Sequence, residues 1–219
     1  MSKNRLFLFL IGVIIFSPPG LAQSLPPPSG MALIPAGEFA KGKPGSGETL
    51  YLDAFYIDRS EVTQEQFEKV MQENPAFFKG SDRPVEKVTW FEADAFCKKV
   101  GKRLPTEWEW ERAAKAGTTT QFYWGEAMDD AFGWHKGNSD RQTHPVGQKK
   151  PNAYGLYDIA GNVWEWTASD HESRGKVVRG GSWRNSAVSL RSFQRIQSLP
   201  IHKFHYVGFR CAQSAPEKP

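Results

Sequence analysis

Tyr154-Gly155-Leu156-Tyr157-Asp158-Ile159-Ala160-Gly161-Asn162-Val163-Trp164-Glu165-Trp166 is the stretch around which the rest of the chain is organised. It is too rich in rings and glycine for an ordinary strand. Leu156, Tyr157 and Ile159 suit a core, and Gly161-Asn162 suits a turn, because both residues tolerate positive φ. Glu165 then falls between two indoles that are normally buried. A buried carboxylate needs a partner or a proton. A hard cation held by Glu165 and the carbonyls of the Gly161 turn would supply the charge. So would an arginine, with the tryptophans as plain core; a solvent-facing Glu165 is the third option.

Downstream, Val177-Val178-Arg179-Gly180-Gly181-Ser182-Trp183 reads as a strand whose paired glycines allow close backbone approach. Residues 184–198 are polar and mixed and read as loop, and Tyr206–Cys211 reads as a closing strand. Upstream, three capping boxes announce short helices: Thr63 with Gln66, Thr89 with Glu92, and Thr106 with Glu109. In the second helix Ala93, Phe96, Cys97 and Val100 share one face, and Gly101 suits its end. Cys97 is therefore expected to be buried, which fits a structural bond better than a reactive thiol. Before these helices, Met31–Phe39 reads as strand, turn and short strand, and Leu50–Ile57 as one strand. His144-Pro145-Val146-Gly147 is a further candidate strand. Residues 23–30 form a Pro-rich linker and residues 213–219 a disordered tail, leaving one domain over residues 31–212.

With 219 residues and 13% aromatics, the chain has material for one substantial core. Its 20 Gly and 15 Pro predict turns and irregular loops over long helices. At the start, Lys3 and Arg5 precede the apolar run Leu6–Phe16, which is too short to span a bilayer comfortably. Gly20-Leu21-Ala22 offers small residues for cleavage. Residues 1–22 thus read as a secretory signal cut after Ala22, with retention as an anchor the alternative. The expected location is periplasmic or secreted, with no transmembrane segment after cleavage. Removing Lys3 and Arg5 lowers the formal charge from +4 to +2, so a polyanion partner is not indicated. No basic run carries the interleaved aromatics of a nucleic-acid platform, so no nucleic acid is expected. The chain has 2 cysteines, Cys97 and Cys211. In an exported chain they can form one disulfide; free thiols or metal ligation are the alternatives.

Six motifs follow one another in a recognisable order. They are Ile34-Pro35-Ala36-Gly37, Glu61-Val62-Thr63, Lys102–Glu109, Asn152–Asp158 with Gly161–Trp166, Arg179–Trp183, and Gly208-Phe209-Arg210-Cys211. Together they resemble the formylglycine-generating enzyme, or sulfatase-modifying factor, family over residues 31–212. The resemblance implies an α+β fold: an irregular single domain related to the C-type lectin fold, with short helices and small antiparallel sheets. The family oxidase converts a sulfatase cysteine to formylglycine with two cysteines that bind copper(I), a soft metal suited to thiolates. Their positions after the Gly-Gly-Ser turn fall here on Asn185 and Leu190. Neither is a thiolate, so no copper is expected and the namesake activity is not. Cys97 and Cys211 fall where the family carries a structural disulfide.

The resemblance also implies structural calcium. One site would use Gly161, Asn162, Val163 and Glu165. A second would use Asn138, Ser139 and Asp140, in a loop that is shorter here. The five histidines are scattered, and no Ser-His-Asp arrangement or phosphate-cradling glycine loop stands out. The expectation is therefore a ligand- or protein-binding accessory (maturation) factor. Its recognition surface would comprise Trp166, Ser182, Trp183, Arg184, Asn185 and Arg191, and would take an unidentified protein or small molecule. Relatives beside siderophore-maturation or nitrite-reductase systems imply the alternative, an oxidoreductase of another type.

Overall fold

The computed structural model describes residues 26–216; the segment read as a signal, residues 1–22, lies outside them. The architecture is α+β, with three short helices and three small sheets. Met31–Ile34 (β1) and Gly37–Ala40 (β2) flank the Pro35-Ala36 turn, as the sequence predicts. The expected single strand over Leu50–Ile57 is instead two, Thr49–Leu52 (β3) and Phe55–Asp58 (β4). The chain leaves one sheet and enters another at Asp53-Ala54. β3 pairs with β2, whereas β4 pairs with β1 and with Ala212–Ser214 (β9). Flanked on both edges, β4 buries Phe55, Tyr56 and Ile57 in succession. Gln213 and Ser214 pair with Tyr56 and Phe55, so the segment expected as a tail over 213–219 starts as strand; residues 217–219 lie outside the described residues.

All three capping boxes close. Thr63 caps Gln64–Met71 (α1), Thr89 caps Trp90–Lys99 (α2) and Thr106 caps Glu107–Lys115 (α3), each with both reciprocal bonds. Each such cap stabilises by about 1 kcal/mol, which matters for helices of only two to three turns. Ala93, Phe96 and Cys97 of α2 are buried, but Val100 is 37% exposed, because the helix has already ended at Lys99. α3 is sunk into the molecule, and its charged residues survive burial by pairing. Glu109 meets Arg103, Glu111 meets Lys115, and Arg179 meets both Glu107 and Glu111.

Trp164–His171 (β5) pairs antiparallel with Gly175–Arg179 (β6), which pairs with Arg195–Ser198 (β7). Val207–Gly208 (β8) joins the other edge of β5 in parallel. The expected loop over 184–198 therefore contains a 3-10 turn, Ala187–Leu190, and a strand. That strand has a burial pattern too exposed to read as one from composition. His144–Gly147 forms no strand. The expected closing strand over Tyr206–Cys211 shortens to β8, because Arg210 and Cys211 turn inward before β9 begins. Two clusters fill the core. One packs β1, β4 and α3 against Phe122, Tyr123 and Leu156; the other packs α1, α2, β5 and β8 around Phe67, Phe96, Trp166 and Phe209. Cys97 and Cys211 lie in the second and are bonded, with Cα atoms 5.7 Å apart across 114 residues of chain.

Candidate functional site

Gly180 and Gly181 end β6 with φ of 98° and 79°. A Cβ on Gly180 would stand 3.1 Å from the Trp110 ring, and one on Gly181 would stand 2.8 Å from the Ser189 carbonyl oxygen. The turn thus needs glycine twice, for conformation and for space. It delivers Ser182, fully buried, and then Trp183, whose ring is also buried at 8% exposure beneath the more exposed Phe77 and Arg184. Ser182 Oγ donates to Asn185 Oδ1 at 2.6 Å, and Trp164 Nε1 donates to the same oxygen at 2.9 Å. The amide oxygen of Asn185 is thereby saturated. Leu190 is 1% exposed and belongs to the first core cluster. The two positions that the resemblance gives to copper-binding thiolates hold an amide locked in a hydrogen-bond network and a buried aliphatic. Both cysteine sulfurs are consumed by the Cys97–Cys211 bond. This donor set does not fit a soft metal.

Trp183 is held on three sides. Its N–H donates to the Asn162 carbonyl at 2.8 Å, its carbonyl accepts from Ser139 Oγ at 2.8 Å, and Nε1 donates to the His205 carbonyl at 3.2 Å. Its ring meets Phe78 edge-on at 5.3 Å and His205 at 5.5 Å. Phe77 adds to this cluster at 4.9 Å from Phe78, and it is 63% exposed. The Arg184 guanidinium lies 4.5 Å over the Tyr206 ring. Burial, with help from Arg184 and Lys87, holds the His205 imidazole below its usual pKa. The result is an aromatic surface, not a deep cavity. A cleft of about 760 Å³ lined by Trp108, Arg179 and Arg195 lies elsewhere.

Of the expected surface residues, Ser182, Trp183, Arg184 and Asn185 do converge. Trp166 does not: it is fully buried and donates from Nε1 to the Val88 carbonyl at 3.1 Å. It belongs to the core because both faces of β5 are covered from Trp164 to Thr167. Arg191 follows the 3-10 turn, with its Nε buried and unpartnered among the described residues. Phe77, Phe78, His205 and Tyr206 were not anticipated. Their only local signal is an exposed Phe-Phe pair in a loop and an aromatic run from Phe204 to Tyr206.

The Gly161 turn has the φ values expected, 96° at Gly161 and 53° at Asn162. The charge that Glu165 requires comes from Arg210. Arg210 Nε and Nη2 reach Glu165 Oε2 and Oε1, both at 2.8 Å, and Trp110 Nε1 donates to Oε2 at 2.7 Å. Both carboxylate oxygens are engaged and both residues of the ion pair are fully buried. The Asn162 side chain is likewise spent, donating to Glu61 and to the His144 carbonyl and accepting from the His144 N–H. A hard cation would have to displace a guanidinium here, so these residues do not fit the calcium that the resemblance implies. In the second loop, Asn138 Oδ1 accepts from the His135 N–H, Ser139 Oγ is bound to Trp183, and Asp140 is exposed. Among the described residues, no group of three or more His, Cys, Asp and Glu is placed to hold a metal.

The same centre contains two further acids. Glu61 accepts from Asn162 Nδ2 and the Val163 N–H, and burial beside Asp158 and Glu165 raises its pKa well above the carboxylate range. Burial also pushes the Asp158 carboxyl up to about 6, against the opposing pull of the Gly147 N–H and Arg210.

A family model described as the sulfatase-modifying factor enzyme 1-like domain matches residues 20–215. A chaperone protein named LppX from Paenibacillus barcinonensis is 30% identical over 251 aligned positions, covering 85% of this chain and 90% of its own length. The inactive C-alpha-formylglycine-generating enzyme 2 of Mus musculus is 38% identical over 156 positions, 60% of this chain and 49% of the mouse protein. The chain thus spans about half of that relative. Among solved structures, Treponema denticola variable protein 1 superposes with a TM-score of 0.76 at 32% identity, covering 85% of this chain and 95% of that one.

Proposed function

The chain belongs to the sulfatase-modifying factor enzyme 1-like family, and from that premise we propose that it is an exported accessory factor that binds a ligand or protein without generating formylglycine. One observation carries the proposal. Both cysteine sulfurs are tied together in the Cys97–Cys211 bond, while Asn185 and Leu190 hold the positions that the family resemblance assigns to the copper-binding cysteines. Without a thiolate pair, copper(I) has no soft ligands and oxygen activation has no centre. The names of two relatives, one a chaperone and one an inactive member, agree with a role in assisting another protein. Lys3, Arg5 and the apolar run that follows support export with cleavage after Ala22. No helix among the described residues is long and apolar enough to cross a membrane.

The test is direct. Residues 23–219 are incubated with a Cys-x-Pro-x-Arg peptide, copper and oxygen, and the peptide mass is followed. An unchanged mass is expected, and the mass loss of aldehyde formation would overturn the proposal.

A further inference from the structure

The surface around Trp183 carries a charge that the other parts of the site do not balance. Arg184 is exposed, stacks on Tyr206 and meets no carboxylate within ion-pair distance among the described residues. Lys87, half-buried, donates its backbone N–H to the Phe204 carbonyl at 3.0 Å, which sets it beside the His205 segment, and it meets no carboxylate within ion-pair distance among the described residues. Lys136 donates its backbone N–H to the Asn185 carbonyl and also has no carboxylate partner. Elsewhere Lys102, Lys176 and Lys203 are paired with Asp58, Asp170 and Glu92. Glu86 is buried and points inward, its Oε1 accepting from the N–H groups of Phe77 and Phe78 at 2.5 and 2.8 Å. Burial raises its pKa besides. Asp140, next to Ser139, is the exposed acid on this side.

A surface that joins an exposed ring to unpaired cations is complementary to acidic residues flanking a large apolar one. It is the wrong sign for the arginine-bearing sulfatase motif. We infer that the Phe77–Trp183–Arg184 surface recognises an extended acidic peptide segment that carries an aromatic or large apolar anchor. The inference rests on the accessory-factor reading, since it assigns that reading a partner chemistry. A peptide is favoured over a nucleic acid because the cations form a cluster beside the rings and not a row that tracks a phosphate backbone. The chain without residues 1–22 is also close to neutral, at a formal +2. Asn185 adds specificity of a second kind: its Oδ1 is taken by Ser182 and Trp164, whereas its Nδ2 has no partner among the described residues and can donate to a peptide carbonyl.

The experiment uses residues 23–219 and fluorescence anisotropy with three labelled peptides. One is acidic with a central phenylalanine, the second replaces its acids by lysine, and the third carries Cys-x-Pro-x-Arg. The acidic peptide is expected to bind, and to weaken as salt rises. Arg184→Glu with Lys87→Glu should lower its affinity about ten-fold or more. Lys69→Glu with Lys99→Glu changes net charge equally at exposed positions away from the rings and should leave affinity unchanged. Phe77→Ser should also weaken binding while circular dichroism stays that of the parent. Failure of the acidic peptide to bind, equal loss in the control pair, or tighter binding of a single-stranded oligonucleotide would each overturn the inference. Tighter binding of the Cys-x-Pro-x-Arg peptide without aldehyde formation would overturn it and leave the accessory reading standing; aldehyde formation would remove the reading itself.

Discussion

Arg210 and Glu165 form a two-point ion pair with both side chains fully buried, Nε to Oε2 and Nη2 to Oε1 at 2.8 Å. Arg210 also donates to the carbonyls of Asp58 and Tyr157, at 3.1 and 2.9 Å. One guanidinium therefore joins β4, β5 and the stretch before the Gly161 turn. Replacing Glu165 by Ala leaves this charge buried without a counter-charge and should cost about 3–5 kcal/mol. The double replacement Glu165→Met with Arg210→Met should cost less than the sum of the single ones. Urea unfolding of the four proteins in a cycle measures the coupling.

Calcium and chelator are expected to leave the melting temperature unchanged, because the Glu165 oxygens are already engaged. Differential scanning fluorimetry in calcium and in EDTA checks this. A calcium-dependent rise that vanishes in Glu165→Gln would mean that a cation displaces Arg210.

The Cys97–Cys211 bond closes a loop of 114 residues. In the chain-entropy account such a link stabilises by about 3–5 kcal/mol. Replacing both cysteines by serine should lower the melting temperature under oxidising conditions. Dithiothreitol should lower that of the parent and not of the variant.

Asp158 gives a pH dependence of defined sign. Its carboxyl is raised from 3.8 to about 6 in the fold, chiefly by burial. The folded chain then holds more protons than the unfolded one between these values, so stability falls as pH rises through about 4 to 6. The full effect is roughly 3 kcal/mol. Asp158 sits at φ 53°, a conformation asparagine tolerates. Asp158→Asn should therefore flatten this slope without lowering stability at neutral pH, as chemical unfolding at several pH values would record.

A Cβ on Gly161 would overlap the Trp134 carbonyl, and its φ is 96°. Gly161→Ala should destabilise by about 3 kcal/mol or more. Soluble yield and melting temperature report it.

What was legible in the sequence followed from local physics. Thr63, Thr89 and Thr106 each sit three residues before the Glu or Gln that completes a box, and a cap needs no distant partner. Gly161-Asn162 is readable for the same reason, since φ belongs to the residue itself, and the close approach expected at Gly180-Gly181 follows from their missing side chains. What failed depended on sequence-distant neighbours. β3 and β4 look continuous until one knows that they serve different sheets. Glu165 offered three partners, and the choice of Arg210 is made 45 residues away. Trp166 reads as a surface anchor because composition does not tell that both faces of β5 are covered from Trp164 to Thr167. The aromatic surface was half visible, since Trp183 and Arg184 follow a motif, whereas Phe77 and His205 reach them only through the fold. The pairing of Cys97 with Cys211, which the family resemblance implied, is present.

The closing segment carries a consequence for biosynthesis. Residues 207–214 supply β8, β9, the Arg210 guanidinium and one sulfur of the only bridge. A nascent chain emerging from a ribosome or a translocation channel presents β4 long before its neighbour β9 exists. The strand waits with one edge bare and Glu165 without its counter-ion. Native packing can be completed only when the last of these eight residues has cleared the exit, so the domain must be shielded or held back from premature association until then.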